Sequence, residues 1–197
     1  MIVLADVDIV HKLTCCDLLD ELLTWLECPP NKILVIPTMQ YKVRKLLKNN
    51  AHALQRFNIF LDLTSELPAA NVSSLKSFST LDVGEQQLFA VFIDSHDSMR
   101  IITGDKLAIR QVASLAKSNL QFENRLNNNI DYLEGIMLGL IQNCGFDTIN
   151  SKISPNLEVD GVLRLAFGTG RNKAHAIDAL TSHLNSLRNE APFITLR

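Results

Sequence analysis

The sequence predicts an α/β protein with three layers, α/β/α, around a mainly parallel sheet, followed by a C-terminal extension of helices. Residues 1–5 are an uninterrupted apolar run with the length of a strand buried on both faces; residues 33–36 are a second short apolar strand, and residues 101–103 are a third predicted strand. They alternate with amphipathic segments of about 10–15 residues, the pattern of a parallel sheet covered by helices. The chain has 197 residues, of which 47% are hydrophobic and 20% charged, so it can bury a substantial core.

The helices of this core are predicted from apolar spacing and from start and stop signals. Thr14, followed by Asp17, is typical of a helix N-terminus, and leucines then recur at helical spacing until Pro29–Pro30. Further along, we expect a helix at 37–48, a helical or mixed segment at 51–63, a surface connection at 66–79, and helices at 82–93 and 106–117.

The alternation of strands and helices stops near residue 118. Residues 125–144 and 172–187 each have apolar side chains in helical phase, and a polar segment and the glycine-rich turn Phe167–Arg171 lie between them. We therefore divide the chain into an α/β core, residues 1–118, and a helical extension packed on it, residues 119–197.

Charge and cysteine usage exclude several classes of protein. Nineteen basic and 21 acidic residues give a formal net charge of −2, which excludes a general basic coat but allows a local basic groove. No apolar run approaches the roughly 20 residues that cross a bilayer, so we expect no membrane partner. The four cysteines form no CxxC pair, which favours reduced thiols in a cytoplasmic protein over disulfides or a zinc site.

Acidic residues follow two of the predicted strands. Asp6 and Asp8 follow the first, Asp105 follows the third, and Glu85 lies in the first turn of the helix that precedes the third. Ligands of open α/β sheets bind outside the carboxyl ends of the strands. If the first and third strands are neighbours, Asp6, Glu85 and Asp105 converge there. Carboxylates without His or Cys favour Mg²⁺ or Mn²⁺, ions that clamp phosphodiesters.

Helix capping is the alternative role for most of these acids. Asp82 and Glu85 have the spacing of a capping box, and Asp105 can cap the helix that begins at Lys106. Capping does not explain Asp6, which directly follows a buried strand, where an unpaired carboxylate is costly.

Two segments resemble the PIN-domain nucleases. In IVLADVDIVHKL the predicted strand ends in Asp6, and Asp8 follows after one residue, at the position where this family has Asn or Asp. In LDVGEQQLFAVFIDSHDSMRIITGDKLAIRQVA a helix begins with "GE" and a "TGD" follows the next strand. The resemblance covers about residues 1–118 and leaves the extension unexplained.

The resemblance implies a PIN-like fold and a Mg²⁺- or Mn²⁺-dependent endoribonuclease, as in many bacterial toxins and RNA-processing factors. Carried over, Asp6, Glu85 and Asp105 are the metal-binding, catalytic carboxylates, with Asp8 and Thr103 in support. RNA, single-stranded or structured, is the implied partner, and a homodimer and an inhibitory protein partner are further expectations.

One departure concerns the helix after the second strand, which in this family usually carries a glutamate. The segment PTMQYKVRKLL has no acid, and Lys42 falls about where the acid is expected. Asp62 or Asp82 can supply the missing carboxylate as a supporting ligand. Otherwise the site is degenerate, and the chain is a PIN-like module that binds RNA or protein without catalysis.

The same helix carries four basic residues, Lys42, Arg44, Lys45 and Lys48. Their i, i+3 and i, i+4 spacings place them in adjoining ridges. They either form the solvated face of an amphipathic helix or bind the phosphates of a nucleic acid beside the metal site.

A second enzymatic interpretation is a phosphatase that resembles the HAD family. Asp6 and Asp8 match a D-x-D opening, in which the first aspartate is the nucleophile and the second the general acid/base. Asp105 can then belong to a later acidic motif. That motif usually has another acid four residues on, where this chain has Ile109, and the GE helix has no role in this interpretation.

Overall fold

The computed structural model describes residues 1–117 and 119–195 and contains a five-stranded sheet in which all the strand pairs are parallel. The strand order is β3-β2-β1-β4-β5. The strands are β1 (Ile2–Ala5), β2 (Ile33–Val35), β3 (Ser65–Glu66), β4 (Met99–Thr103) and β5 (Ile130–Tyr132). The α-helices are α1 (Val7–Cys15), α2 (Leu19–Leu26), α3 (Met39–Leu46), α4 (Ala51–Leu63), α5 (Val72–Ser77), α6 (Val83–Asp94), α7 (Lys106–Ala116), α8 (Leu120–Leu126), α9 (Leu133–Cys144), α10 (Phe146–Ile153), α11 (Gly161–Ala166) and α12 (Lys173–Glu190).

The order of the strands places a topological switch point between β1 and β4. The chain builds β1, β2 and β3 towards one edge, and then returns to add β4 and β5 on the other side of β1. At the carboxyl end of the β1–β4 pair, Ala5 lies opposite Ile102. The predicted α/β class and the parallel pairing of these two strands are therefore confirmed, and the sheet with its many helices is consistent with three layers.

The first helix differs from its prediction. Helix α1 begins at Val7, immediately after β1, and Thr14 lies near its end instead of capping a helix, with its hydroxyl donating to the Val10 carbonyl at 2.6 Å. Asp17 adopts a left-handed backbone (φ 54°) in the turn before α2. The apolar spacing used for the prediction belongs to two helices joined by this turn.

Two strands also lie where none was predicted. Residues 65–66 form the very short β3, at the start of the predicted surface connection. The predicted helix at 125–144 is interrupted by β5, because α8 ends at Leu126 and Asn128 takes a left-handed backbone (φ 59°). Residues 119–195 therefore contribute a strand to the sheet in addition to helices; the predicted boundary at residue 118 lies outside the described residues.

Residues 119–195, which we call the C-terminal segment, are joined to the sheet and to the other helices by backbone and side-chain contacts. The Thr195 amide donates to the Ile130 carbonyl at 2.8 Å, and Arg100 of β4 forms a buried ion pair with Asp131 of β5. Helix α9 packs against both α2 and α12. Within the described ranges, no helix has the length and apolar character needed to cross a membrane.

Candidate metal site at the carboxyl ends of β1 and β4

Asp6 lies at the switch point and is only 7% exposed. It directly follows β1, and it is the N-cap of α1, with its Oδ1 accepting a hydrogen bond from the Val7 amide at 2.6 Å. The expectation that capping does not involve Asp6 is therefore wrong. The other oxygen, Oδ2, accepts from the Thr103 hydroxyl at 2.9 Å. Both carboxylate oxygens are thus oriented by donors, one at the end of β4 and the other at the first residue of α1.

Thr103 connects Asp6 with Asp105. The Thr103 hydroxyl donates to Asp6 Oδ2 and accepts from the Asp105 amide at 3.1 Å, so both residues contact one oxygen atom. The Asp105 carboxylate caps α7, with Oδ1 accepting from the Leu107 and Ala108 amides at 2.7 and 3.0 Å. The capping role predicted for Asp105 is confirmed, and the cap leaves Oδ2 outside these two bonds.

Glu85 belongs to a capping box with Asp82 at the start of α6. The Glu85 amide donates to Asp82 Oδ1 at 2.8 Å, and Glu85 Oε2 accepts from the Asp82 amide at 3.0 Å. Lys42 of α3 lies at the same helix start, with its Nζ 3.3 Å from Asp82 Oδ2. Gly84 permits this packing, because a Cβ there would lie 2.6 Å from Ile36 Cδ1.

The negative charges of this cluster act on one another. Burial, together with the charges of Asp8 and Asp105, raises the pKa of Asp6 to about 6, although the hydrogen bond from Thr103 lowers it. Burial also raises the pKa of Glu85 to about 7, and Asp82, Asp105 and Asp6 contribute by repulsion. Asp6, Glu85 and Asp105 are therefore close enough for their charges to interact, as the sequence predicts for acids at neighbouring strand ends.

These acids do not form a closed cage of ligands. Among the described residues, no three His, Cys, Asp or Glu side chains are grouped closely enough to hold a metal ion in their present orientations. Glu85 is turned to the Asp82 amide, and one oxygen of Asp105 is turned to α7. Of the alternative carboxylates, Asp82 lies at the cluster and Asp62 is exposed on α4.

Asp8, predicted to support Asp6, is paired with a cation instead of being left within the acid cluster. Lys12 Nζ lies 2.6 Å from Asp8 Oδ2 and 2.9 Å from Asp160 Oδ2. Burial disfavours the charge on Lys12, but the two carboxylates outweigh it and raise its pKa; for Asp160, Lys12 likewise outweighs burial and lowers the pKa. Gly104 lies against this triad, and a Cβ there would be 2.5 Å from Asp8 Oδ2, so the Asp8 carboxylate would have to shift to admit it. We call Asp8, Lys12 and Asp160 the clamp.

Helix α3 ends at Leu46, before the predicted end at 48, so Lys48 lies just beyond it; all four basic residues are exposed, and their environments differ. Lys42 pairs with Asp82, and the Arg44 guanidinium donates to Asn58 Oδ1 at 3.0 and 3.1 Å. Lys45 and Lys48 form no salt bridge with any described residue. Only Lys42 is thereby connected to the acid cluster.

A cleft of about 660 Å³, which the sequence does not predict, lies beside Asp105. It is lined by residues that follow β1 and β4, by Tyr132 at the end of β5, and by residues between 160 and 183 of the C-terminal segment. The lining comprises Asp8, Lys12, Gly104, Asp105, Lys106, Leu107, Arg110, Tyr132, Asp160, Gly161, Val162, Arg164, Leu165 and His183. The Tyr132 hydroxyl donates to the Gly104 carbonyl at 2.6 Å and so fixes one side of it. No local motif in the sequence could reveal a site assembled from such distant segments.

Comparison of the chain with family models, with curated proteins and with solved structures finds no match. A function must therefore be inferred from the geometry of the acid cluster and of the surfaces around it. The decisive features are the buried Asp6, the hydroxyl that it shares with Asp105, and the absence of a cation bonded to either of them among the described residues.

Proposed function

We propose that this chain is a Mg²⁺- or Mn²⁺-dependent endoribonuclease with a PIN-like fold, in which Asp6, Glu85 and Asp105 bind the metal. The observation that carries the proposal is the junction of β1 and β4. There, Asp6 is buried at the switch point of a parallel sheet and shares the Thr103 hydroxyl with Asp105. Sheets of this kind bind their ligands at that position.

The chemistry of the donor set fits a hard divalent cation. All the candidate ligands are carboxylate oxygens, which Mg²⁺ and Mn²⁺ prefer. The raised pKa values of Asp6, about 6, and Glu85, about 7, reflect burial and repulsion that a bound cation relieves. The proposal includes a rotation of the Glu85 side chain away from the Asp82 amide, since that bond occupies Oε2.

The residues of the chain have separate tasks in this reaction. When bound, the metal supplies Lewis-acid chemistry for in-line hydrolysis of a phosphodiester by water. Thr103 and the Val7 amide hold the two oxygens of Asp6 in a fixed orientation. The amides at the start of α7 hold Asp105 in the same way, which leaves Asp105 Oδ2 for the metal. Such fixed ligands need little reorganisation during the reaction.

The test is Mn²⁺-dependent cleavage of single-stranded RNA by the wild type and by Asp105→Asn. Asparagine is as good an N-cap as aspartate, so this variant keeps the start of α7 and removes only the charge. Asp147→Asn is the matched control, because Asp147 is an exposed acid in the first turn of another helix, α10. We expect cleavage to be lost in Asp105→Asn and retained in Asp147→Asn. Equal cleavage by both variants would overturn the proposal.

A second candidate function is RNA binding without catalysis. The observation that favours it is Lys42, which brings an ammonium group to Asp82 at the start of α6, while Glu85 serves as a capping residue. RNA binding by the wild type without any cleavage in Mn²⁺ supports this function. A trapped phospho-aspartate at Asp6 would instead support the phosphatase, for which the buried Ile109 offers no second acid.

A further inference from the structure

The cleft beside Asp105 is not used by the reaction proposed above. Helix α7 contributes Lys106, Leu107 and Arg110 to its lining, and α11 contributes Arg164 and Leu165. Its volume of about 660 Å³ is within the range of about 300–1,000 Å³ that ligand-binding clefts have. Because Asp105 belongs both to the acid cluster and to the lining, a ligand in the cleft lies directly beside the proposed catalytic site.

The cations of the cleft differ in how firmly they are held. Lys12 is neutralised by Asp8 and Asp160, and the Nζ of Lys106 lies 3.5 Å from the carboxylate of the buried Glu134. Arg110 is held by Glu190 in a bidentate pair, with Nε donating to Oε2 at 2.6 Å and Nη2 donating to Oε1 at 3.0 Å, although both side chains are about half exposed. Arg164 is exposed and makes no salt bridge within the part of the chain that is described. Arg164 is therefore available to an anionic ligand, whereas Arg110 is already occupied by Glu190.

Two large aliphatic side chains stand beside these arginines. Leu107 is 63% exposed and Leu165 is 49% exposed, and both line the cleft. Exposed leucines in the same cleft as arginines suit a ligand that carries both negative charges and apolar faces. Single-stranded nucleic acids have this character, because their phosphates bind cations and their unstacked bases pack on side chains.

We infer that this cleft binds the nucleotides of a single-stranded RNA that lie next to the scissile phosphate. Arg164 binds a backbone phosphate, and Leu107 and Leu165 contact bases or riboses. The identity of the ligand rests on the proposed function, whereas the binding surface itself rests on the lining of the cleft. The C-terminal segment therefore contributes to the recognition of RNA, because the cleft is formed jointly by its residues and by residues before 118.

The test is binding of a short fluorescent oligoribonucleotide to the full chain, measured by anisotropy in EDTA over a series of potassium chloride concentrations. Arg164→Ala is compared with Arg171→Ala, an exposed arginine of the same segment that does not line the cleft. The double change of Leu107 and Leu165 to Ala is compared with Leu120→Ala, since Leu120 is 70% exposed elsewhere. Unchanged circular dichroism of each variant shows that it is folded.

We expect Arg164→Ala to weaken binding about fivefold and to lower the salt slope by about 0.7, the contribution of one phosphate contact on a single strand. The double leucine variant weakens binding about threefold with an unchanged slope, since apolar contacts release no counterions. Both controls stay at the wild-type affinity. Equal losses in Arg164→Ala and Arg171→Ala, or no RNA binding by the wild type, would overturn the inference.

The same proteins assayed for cleavage in Mn²⁺ distinguish this inference from the proposed function. Cleavage by the wild type with no selective effect of Arg164→Ala on binding contradicts the cleft and leaves the nuclease standing. Selective loss of binding without any cleavage contradicts the nuclease and supports the cleft as part of an RNA-binding module.

Discussion

Asp6 and Asp8 lie in one short segment of the chain, yet they belong to two regions with opposite electrostatics. Asp6 is buried near other acids, and its carboxylate accepts hydrogen bonds from a hydroxyl and a backbone amide. Asp8 lies in the clamp, where Lys12 is shared with Asp160 from the distant C-terminal segment. The pKa of Asp6 is raised, mainly by burial, whereas Lys12 holds the pKa of Asp160 low despite its burial.

The contrast separates an acid cluster with no bonded cation among the described residues, for which we propose a metal, from one that the chain neutralises itself. A buried carboxylate without a cation costs folding free energy, and proteins retain such groups where a ligand repays the cost. The clamp serves another purpose, because it attaches residues near α11 to α1.

The largest effect is expected for catalysis. Asp6→Asn removes a proposed metal ligand, so Mn²⁺-dependent RNA cleavage should fall more than about a hundredfold, since even outer-shell changes cost about 10–100-fold. Asp8→Asn should cost less than about tenfold, because Asp8 is neutralised by Lys12 and is not a proposed ligand. Single-turnover cleavage rates measure both effects. Equal losses in the two variants would contradict the separation of the regions.

A large effect on stability is expected in the clamp. Lys12→Met leaves Asp8 and Asp160 without their shared cation, and breaking such a partly buried ion pair should lower the free energy of unfolding by about 3 kcal/mol. Urea unfolding monitored by circular dichroism measures it. Lys45→Met, on the exposed face of α3, is the control and should change stability by less than about 0.5 kcal/mol. A loss below about 1 kcal/mol in Lys12→Met would show that the clamp is not structural.

The two regions should also respond oppositely to pH in the metal-free protein. Folding raises the pKa of Asp6 to about 6, so the folded state binds the proton more tightly and this residue destabilises the fold as the pH rises from 4 towards 7. Asp6→Asn should therefore be more stable than the wild type at pH 7, by about 2 kcal/mol, and equally stable near pH 4. Unfolding curves at a series of pH values test this.

Asp160 provides the reverse case for the same experiment. Its pKa is lowered by Lys12, so its contribution is present at neutral pH and is lost as the pH falls below the ordinary aspartate value. Asp160→Asn should be less stable than the wild type at pH 7, with the difference shrinking in acid. If both variants moved in the same direction, the electrostatic contrast between the regions would be wrong.

The smallest effect is expected on α3. Lys45 is exposed on this helix and Lys48 is exposed just after its end, and replacing both by alanine should weaken RNA binding about twofold to threefold at low salt. The anisotropy assay used for the cleft measures this change. A loss greater than that of Arg164→Ala would indicate that the main path of the RNA runs along α3 and not through the cleft.

The sequence predicts the central part of the fold well, because buried parallel strands are marked by uninterrupted apolar runs. The strands at 2–5 and 33–35 consist of such runs, the strand at 99–103 has the apolar pair Ile101 and Ile102, and the three lie next to one another in the sheet. Strand β3 has only two residues, Ser65 and Glu66, and no apolar signal. Strand β5 could not be recognised because the apolar side chains at 130 and 133 are also in helical phase with their neighbours on both sides.

The candidate site was predictable to the same extent and for a related reason. Acids at the ends of β1 and β4 follow from local sequence, and the pairing of these strands brings Asp6 and Asp105 to one hydroxyl. The clamp and the cleft join α1 to residues near 160, and no local pattern indicates which distant segments meet. The capping of α1 by Asp6 was missed because the start of that helix was placed too late.

The most direct test of the central claim is a crystal of the protein soaked in Mn²⁺, with anomalous scattering used to locate the ion. We expect one strong anomalous peak at the carboxyl ends of β1 and β4, within coordination distance of Asp6 and Asp105. The side chain of Glu85 should be turned towards it. A peak at the clamp or elsewhere, or none at a saturating concentration of Mn²⁺, would contradict the central claim.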